Sequence, residues 1–417
     1  MKAQPLGQSY SRTVNVLIFI FPIVINSLQV VGDIVLLILA MMGIYVAISR
    51  KLSPFTINEI KVFSYLTFSY FIAICSSVFF SGQALELAHY IPRDFYFLFA
   101  PFIALALYKS ELNINYLLVG VKVALLILGV IICLQVLSES YRPSGVMNAG
   151  VFGNLSVALF FIAISFIRYE SFKHKIFTFL SLLSGIFIIV QSGTRGAWIS
   201  FAILMGFYLY FFYKQKNKFS LRAKIITVII LVSMLFFGSI NQKIVDRSNL
   251  MFSEISSWMS GDTKPTSVGL RLNMFKKAIS NIENVPFFGY GLRTSNISLF
   301  KDDTSEMGII SLSFNHLHNG FLTNYYNGGF PLLGALLLLL FVPLRIFLKA
   351  NIQNRKNPVF ISGALLILGY STFGMVNIIL GDTYMNGFFV FYLAVFIVLT
   401  KKIQTIIRIK KTSLKVF

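Results

Sequence analysis

The chain has 417 residues, 56% hydrophobic and only 12% charged, with a formal net charge of +21. So few charges cannot cover the surface of a soluble domain of this length. The apolar residues instead gather in runs of roughly 18–20, the length needed to cross a bilayer as helix, and the short alternating strands of a β-barrel are missing.

In chain order the apolar runs fall at 14–29, 31–49, 62–81, 95–108, 116–137, 151–167, 176–191, 197–213, 223–239, 331–348, 358–378 and 384–401. The expected fold is an all-α polytopic membrane protein with about 12 transmembrane helices and one large periplasmic loop containing helices. The first run follows Lys2 and Arg12 but lacks a small-residue cleavage site, so it reads as a helix rather than a signal peptide. Pro92 and Pro101 bracket the start of the short fourth run, where a break is expected. Cys75 and Cys133 each sit inside an apolar run and read as lipid- or core-facing side chains.

Twelve spans put both termini on one side. That side carries 24 Lys/Arg, in clusters such as Arg168–Lys175, Lys214–Lys224 and Lys401–Lys415, against 11 on the other side; Lys122 falls within a span. The acidic residues divide three to twelve in the opposite sense. The basic excess therefore orients the chain with cytoplasmic termini and attracts anionic membrane lipid; it does not point to nucleic acid.

The organisation expected is helices 1–9 over residues 1–239, a periplasmic loop domain over 240–330, and helices 10–12 with a basic tail over 331–417. The loop mixes polar, aromatic and charged residues of both signs and should fold. Its clearest element is Ser267–Ile282: Pro265-Thr266-Ser267 supplies a helix start, and Val268, Leu272, Phe275, Ile279 and Ile282 recur at three- and four-residue spacing. Phe287-Phe288-Gly289-Tyr290-Gly291 follows as a turn.

Arginine on the translocated side runs against topology and needs a reason. The set is Arg93, Arg142, Arg195, Arg247, Arg271 and Arg293. Arg195 lies in the short hairpin Gln191-Ser192-Gly193-Thr194-Arg195-Gly196, at the bilayer surface, beside free glycine N–H groups, the Thr194 hydroxyl and a helix N-terminus, together a small anion-binding corner. A contact with lipid headgroups or with a loop carboxylate explains the same placement. Arg271 lies on or beside the inward face of the loop helix, which fits either a bound anion or an internal salt bridge. Arg142 and Arg293 lie in loops that could line a site, and Arg93-Asp94 reads as an ion pair.

His316 and His318 are two residues apart. Extended backbone points them the same way, and helix does not. They fit a general base near neutral pH or a hydrogen-bonded histidine at a helix start; two histidines make a poor metal site. Asn319, Asn324, Asn327, Tyr325 and Tyr326 add groups of the kind that hold sugars. A dinucleotide-binding glycine motif, a P-loop, a nucleophile elbow and an Asp-x-Asp pair are all missing. A lipid-linked pyrophosphate donor fits that inventory.

Ser192-Gly193-Thr194-Arg195-Gly196-Ala197, Gly269-Leu270-Arg271-Leu272 and His316-Leu317-His318-Asn319 resemble, in that order, the three marks of the bacterial O-antigen ligase family, whose superfamily also holds O-antigen polymerases. Gly329 fits the ligase spacing after His318-Asn319, whereas Leu332 stands where the family usually has a small or polar residue. The resemblance implies a metal-independent, inverting glycosyl transfer at the periplasmic face of the bacterial inner membrane, without a cofactor. The donor would be a glycan on undecaprenyl pyrophosphate and the acceptor a sugar hydroxyl of lipid A–core. Carried over, Arg195 and Arg271 would hold the pyrophosphate, His318 would take the acceptor proton and His316 would orient it, with Asn319, Thr194, Arg142 and Arg293 binding substrate. A polymerase would use the same motifs, and ligation of the glycan to protein or to another surface polymer would too. A flippase would show a repeat of one half in the other and a site at mid-membrane.

Overall fold

The computed structural model describes residues 6–138, 142–213, 242–261, 264–353 and 357–413. Among them it is all-helical. Eleven apolar helices among the described residues form the bundle: α1 (Gln8–Ile25), α2 (Gln29–Ser49), α3 (Lys61–Phe80), α4 (Phe95–Tyr108), α5 (Ile114–Leu137), α6 (Ala149–Phe166), α7 (Phe172–Gln191) and α8 (Arg195–Tyr213) precede the polar region. That region folds as α9 (Gln242–Met259), α10 (Ser267–Ser280), α11 (Ser295–Phe300) and α12 (Glu306–Leu312). The bundle then resumes with α13 (Gly320–Gln353), α14 (Pro358–Val376) and α15 (Thr383–Ser413). Ten helical segments among the described residues are long and apolar enough to cross a membrane, with the short helix α8 beside them. The expected span at 223–239 lies outside the described residues.

Burial separates central from peripheral helices. Every residue of α6 is buried, as are most of α14 and the membrane part of α15; a helix that is apolar all round belongs in the middle. α14 packs on α6, α8 and α13, and α13 packs on α3. On α2, by contrast, Val30, Ile34, Leu37, Met41, Tyr45 and Ile48 form an exposed stripe at three- and four-residue spacing, the face a helix turns to lipid. Pro101 lies within α4 without ending it, while Pro92 sits in a 3-10 segment just ahead. Lys122, the charged residue inside a span, is buried and paired: its Nζ is 2.5 Å from Glu170 Oε1, whose partner oxygen accepts from Thr178 Oγ1. A buried ion pair with its lone pairs satisfied is structural, not an open polar path through the bundle.

The loop helix forms where the sequence places it. Thr266 Oγ1 accepts from the Gly269 N–H as N-cap. The helix ends at Ser280, and Asn281 Nδ2 donates to the Lys277 carbonyl. Met274 and Ala278 on its inner face join Phe300, Leu317, Tyr325 and Tyr326 in a second core. Lys277 pairs with Asp303 at 2.6 Å, and Asn296 Nδ2 donates to the Ser311 carbonyl, so α10, α11 and α12 are tied together.

The largest departure from expectation is at α13, which begins at Gly320 rather than at residue 331. It is broken inside: Gly328 and Gly329 leave helical geometry, Gly329 with φ +60°. The Phe287–Gly291 turn fills the break. Tyr290 and Gly291 N–H donate to the Tyr326 and Asn327 carbonyls, and Phe330 N–H donates to the Phe287 carbonyl. A Cβ on Gly329 would collide with that Phe287 carbonyl, so glycine is required twice over, for conformation and for space. Leu332 is buried against Gly328 and fills the turn below the break.

Candidate active site

The hairpin between α7 and α8 is fixed by its own short bonds. Ser192 Oγ donates to the Ile189 carbonyl, Trp198 Nε1 donates to the same carbonyl, and the Gly193 N–H donates to Val190 O. That last amide is therefore used within the hairpin, contrary to the sequence expectation of a free donor. Thr194 Oγ1 donates to the Ala149 carbonyl at 2.8 Å and accepts from Arg142 Nη2 at 3.4 Å. Thr194 thus latches the hairpin to the start of α6. Gln135 holds the Arg142 loop by accepting from the Ser144 and Gly145 N–H groups.

This framework leaves Arg195 reaching toward the loop domain. Its Nη1 lies 3.3 Å from Glu254 Oε2, with both side chains less than a fifth exposed. Glu254 Oε2 also accepts from the Val268 N–H in the first turn of α10 at 3.3 Å. A carboxylate therefore sits between an arginine and a helix N-terminus, the chemistry of an anion site. Of the two sequence readings of Arg195, the loop-carboxylate contact is the one present in this structure; the Gly193 N–H and Thr194 hydroxyl expected in an anion corner are both engaged by backbone carbonyls. Glu254 was not foreseen; an acidic residue in a mixed-charge loop gives no sign of its partner. Arg271, four residues into α10, is half-buried and has no ion-pair partner within 4 Å among the described residues. Burial first, then the Arg195 charge, lowers its pKa, and Glu254 opposes this.

The histidine segment is not helical. Leu317 is buried between the two histidines, and its N–H donates to Thr323 Oγ1. The rings of His316 and His318 consequently turn to one side, with centroids 4.4 Å apart. His318 has φ +52°, one of three non-glycine residues in the left-handed region among those described, with Lys51 and Arg293. That conformation carries strain of order 1–2 kcal/mol and turns the chain into α13. Asn319 caps this helix: its Oδ1 accepts from the Phe321 and Leu322 N–H groups, so its carboxamide oxygen is committed to backbone.

The Asn315 Oδ1 can only accept, so the 2.9 Å contact makes His316 Nδ1 the protonated nitrogen. Its Nε2 keeps the lone pair and is buried without a hydrogen-bond partner, as is Nδ1 of His318. Burial, reinforced by the Arg271 charge, lowers the His316 pKa to about 4, with the Asn377 carboxamide acting in the opposite sense. Burial, then His316, then Arg271 lower His318 to about 3. Both rings are neutral at pH 7, the form in which imidazole accepts a proton. Arg195, Arg271 and the two histidines, far apart in sequence, are thus electrostatic neighbours at one end of the bundle.

His316 also borders a narrow cavity of about 50 Å³, lined further by Tyr90, Arg93, Asp94, Arg293 and Asn327 among others. Arg195, Arg271 and His318 do not line it. Arg293 stands over the Tyr90 ring, 4.8 Å from its centroid.

Comparison with known proteins reaches the same segments. The profile of the O-antigen ligase family matches residues 179–338, the stretch that contains Arg195, Arg271, His316 and His318. A Haemophilus influenzae protein described as an uncharacterized protein is 25% identical over 369 residues, covering 86% of this chain and 91% of its own length. The matched domain, set in a multi-pass helical architecture, supports the O-antigen ligase family for residues 179–338; members of that family are glycosyltransferase-like ligases and polymerases acting on lipid-linked glycans.

Proposed function

We propose that the chain is an O-antigen ligase of the bacterial inner membrane, which moves a glycan from undecaprenyl pyrophosphate to a sugar hydroxyl of lipid A–core at the periplasmic face. The observation that carries the reading is the convergence of Arg195 and Arg271, from two separate segments, on a pair of neutral, half-buried histidines from a third. In the proposed reaction the pyrophosphate displaces the Glu254 carboxylate from Arg195 and lies between Arg195 and Arg271, where bidentate guanidinium contacts suit phosphate oxygens. The acceptor oxygen attacks the anomeric carbon on the face opposite the leaving group. The bond from that carbon to the phosphate oxygen breaks, and the configuration inverts. The electron pair leaves with undecaprenyl pyrophosphate, and the arginines stabilise the charge that develops there. His318 takes the acceptor proton, with His316 in ring contact on the cavity side. Donor binding also neutralises the Arg271 charge that suppresses both imidazoles, so the base strengthens when substrate is present.

The test is genetic. In a strain lacking the gene, the lipopolysaccharide gel should show unmodified core, while lipid-linked polymer accumulates. Core carrying a single repeat unit would instead identify a polymerase, the other activity of the superfamily. Arg195→Ala, Arg271→Ala and His318→Ala should each fail to restore long chains, with loss of the base costing roughly 10²–10⁴ in rate. Full restoration by any of them removes that residue from the mechanism.

A further inference from the structure

The cavity beside His316 is separate from the Arg195–Arg271 corner and has arginines of its own. In its wall, Arg93 and Arg293 bring two guanidinium groups to one ring: their Cζ atoms lie 5.5 and 4.8 Å from the Tyr90 centroid. Cation–π contact holds each in place, but it does not cancel the repulsion between two like charges. Asp94 and Asp382 feel the Arg93 charge. Neither lies within 4 Å of either arginine among the described residues, and Asp94 Oδ1 is engaged by Asn386 Nδ2 at 2.8 Å. The sequence reading of Arg93-Asp94 as an ion pair is therefore replaced by this arrangement.

Arg293 is held there at a cost. Its φ is +62°, strain of order 1–2 kcal/mol for a residue with a side chain. The surrounding chain enforces it. Gly291 N–H donates to the Asn327 carbonyl, Thr294 Oγ1 donates to the Gly291 carbonyl at 2.7 Å, and Leu292 is buried.

The remaining cavity wall asks for a different partner. Asn327 is nine-tenths buried, and its Oδ1 has no hydrogen-bond partner; neither has His316 Nε2. Both are acceptors that need a hydroxyl donor. A ligand matching this wall must carry an anionic group and hydroxyls together. The cavity holds only about three to five waters' worth of volume, enough for one phosphate or carboxylate and the edge of a sugar, not for a hexose ring.

We propose that Arg93, Arg293 and Tyr90 form an acceptor subsite, which holds a phosphate or carboxylate borne on the acceptor saccharide and presents a neighbouring hydroxyl to His316 and His318. The proposal rests on the glycosyl-transfer reading. The donor's own anion is assigned to Arg195 and Arg271, which do not line this cavity, so the second anion belongs to the acceptor.

The experiment uses the full-length protein in liposomes with a lipid-linked glycan donor. Three acceptors are compared: intact lipid A–core, the same material stripped of phosphate, and the same material with its carboxyl groups reduced. Arg93→Gln and Arg293→Gln should each raise the acceptor KM roughly 10–100-fold on intact acceptor, with the donor KM unchanged. Arg293→Lys should recover part of the loss. On whichever trimmed acceptor lacks the recognised group, the wild-type KM should already be raised, and the variants should add nothing. That arm separates phosphate from carboxylate. Equal losses on all three acceptors, a shift in donor KM, or no shift at all would overturn the subsite. Wild-type protein that transfers to no saccharide acceptor, a lipid-linked repeat unit included, overturns the glycosyl-transfer reading itself. The donor KM reports folding: a variant that merely misfolds loses both parameters together.

Discussion

Replacing Glu254 with glutamine should improve donor binding. In the structure Glu254 Oε2 holds Arg195 Nη1 at 3.3 Å and accepts from the Val268 N–H at the same distance. Two unit charges at that separation attract by roughly 5 kcal/mol at an effective dielectric of about 20, and by about 1.3 kcal/mol in bulk water. Tight charge-assisted contacts are shorter, near 2.7–2.9 Å, so this pair is loose. Desolvation and side-chain ordering offset most of the attraction, leaving a net contribution of about 1 kcal/mol. The donor pyrophosphate must overcome that amount to take Arg195. The Glu254→Gln variant keeps an acceptor oxygen for Val268 and removes the competing charge, so the donor KM should fall about 5-fold, with little change in kcat. The assay is transfer by purified protein across a donor titration at fixed, saturating acceptor. A donor KM that rises would refute the reasoning, because Glu254 would then be positioning Arg195 rather than occupying its anion site.

Three further outcomes follow from the structure. In Arg271→Gln, loss of the cation makes the protonated imidazoles less unfavourable, so the His316 and His318 pKa values move up from about 4 and about 3 toward the ordinary 6.5. The acid limb of kcat/KM should move up with them, and activity at pH 5 relative to pH 7 should drop; superimposable profiles would sink the assigned coupling. The folded wild type binds fewer protons at these rings than the unfolded chain does, so their stabilising contribution is present above pH 6.5 and is lost as pH falls toward 4. Thermal unfolding at pH 5 and pH 7 should show this drop in wild type and a smaller one in the variant. Gly329→Ala drives a Cβ into the Phe287 carbonyl at φ +60° and should lower Tm in detergent by several degrees. Gly334→Ala, with open space around it, should not; equal Tm values would show that the α13 break tolerates a side chain.

The sequence by itself determined the helical membrane class, the approximate spans among the described residues, the start of the loop helix at Ser267 and the three motifs that carry Arg195, Arg271 and the histidines. Each of these is written in local signals: runs of apolar residues, a capping residue before an amphipathic repeat, short patterns of chemistry-bearing side chains. It left open whether His316 and His318 face the same way, because that depends on backbone conformation. The structure answers through buried Leu317 and the Thr323 contact. It also misplaced the start of α13. The Gly328-Gly329 break is satisfied by a turn some forty residues upstream, and no local pattern records that pairing. Glu254 beside Arg195, and Arg93 beside Arg293 over Tyr90, were likewise decided only by the tertiary fold. Each is a contact between residues distant in the chain, and charge proximity follows from packing, not from order along the sequence.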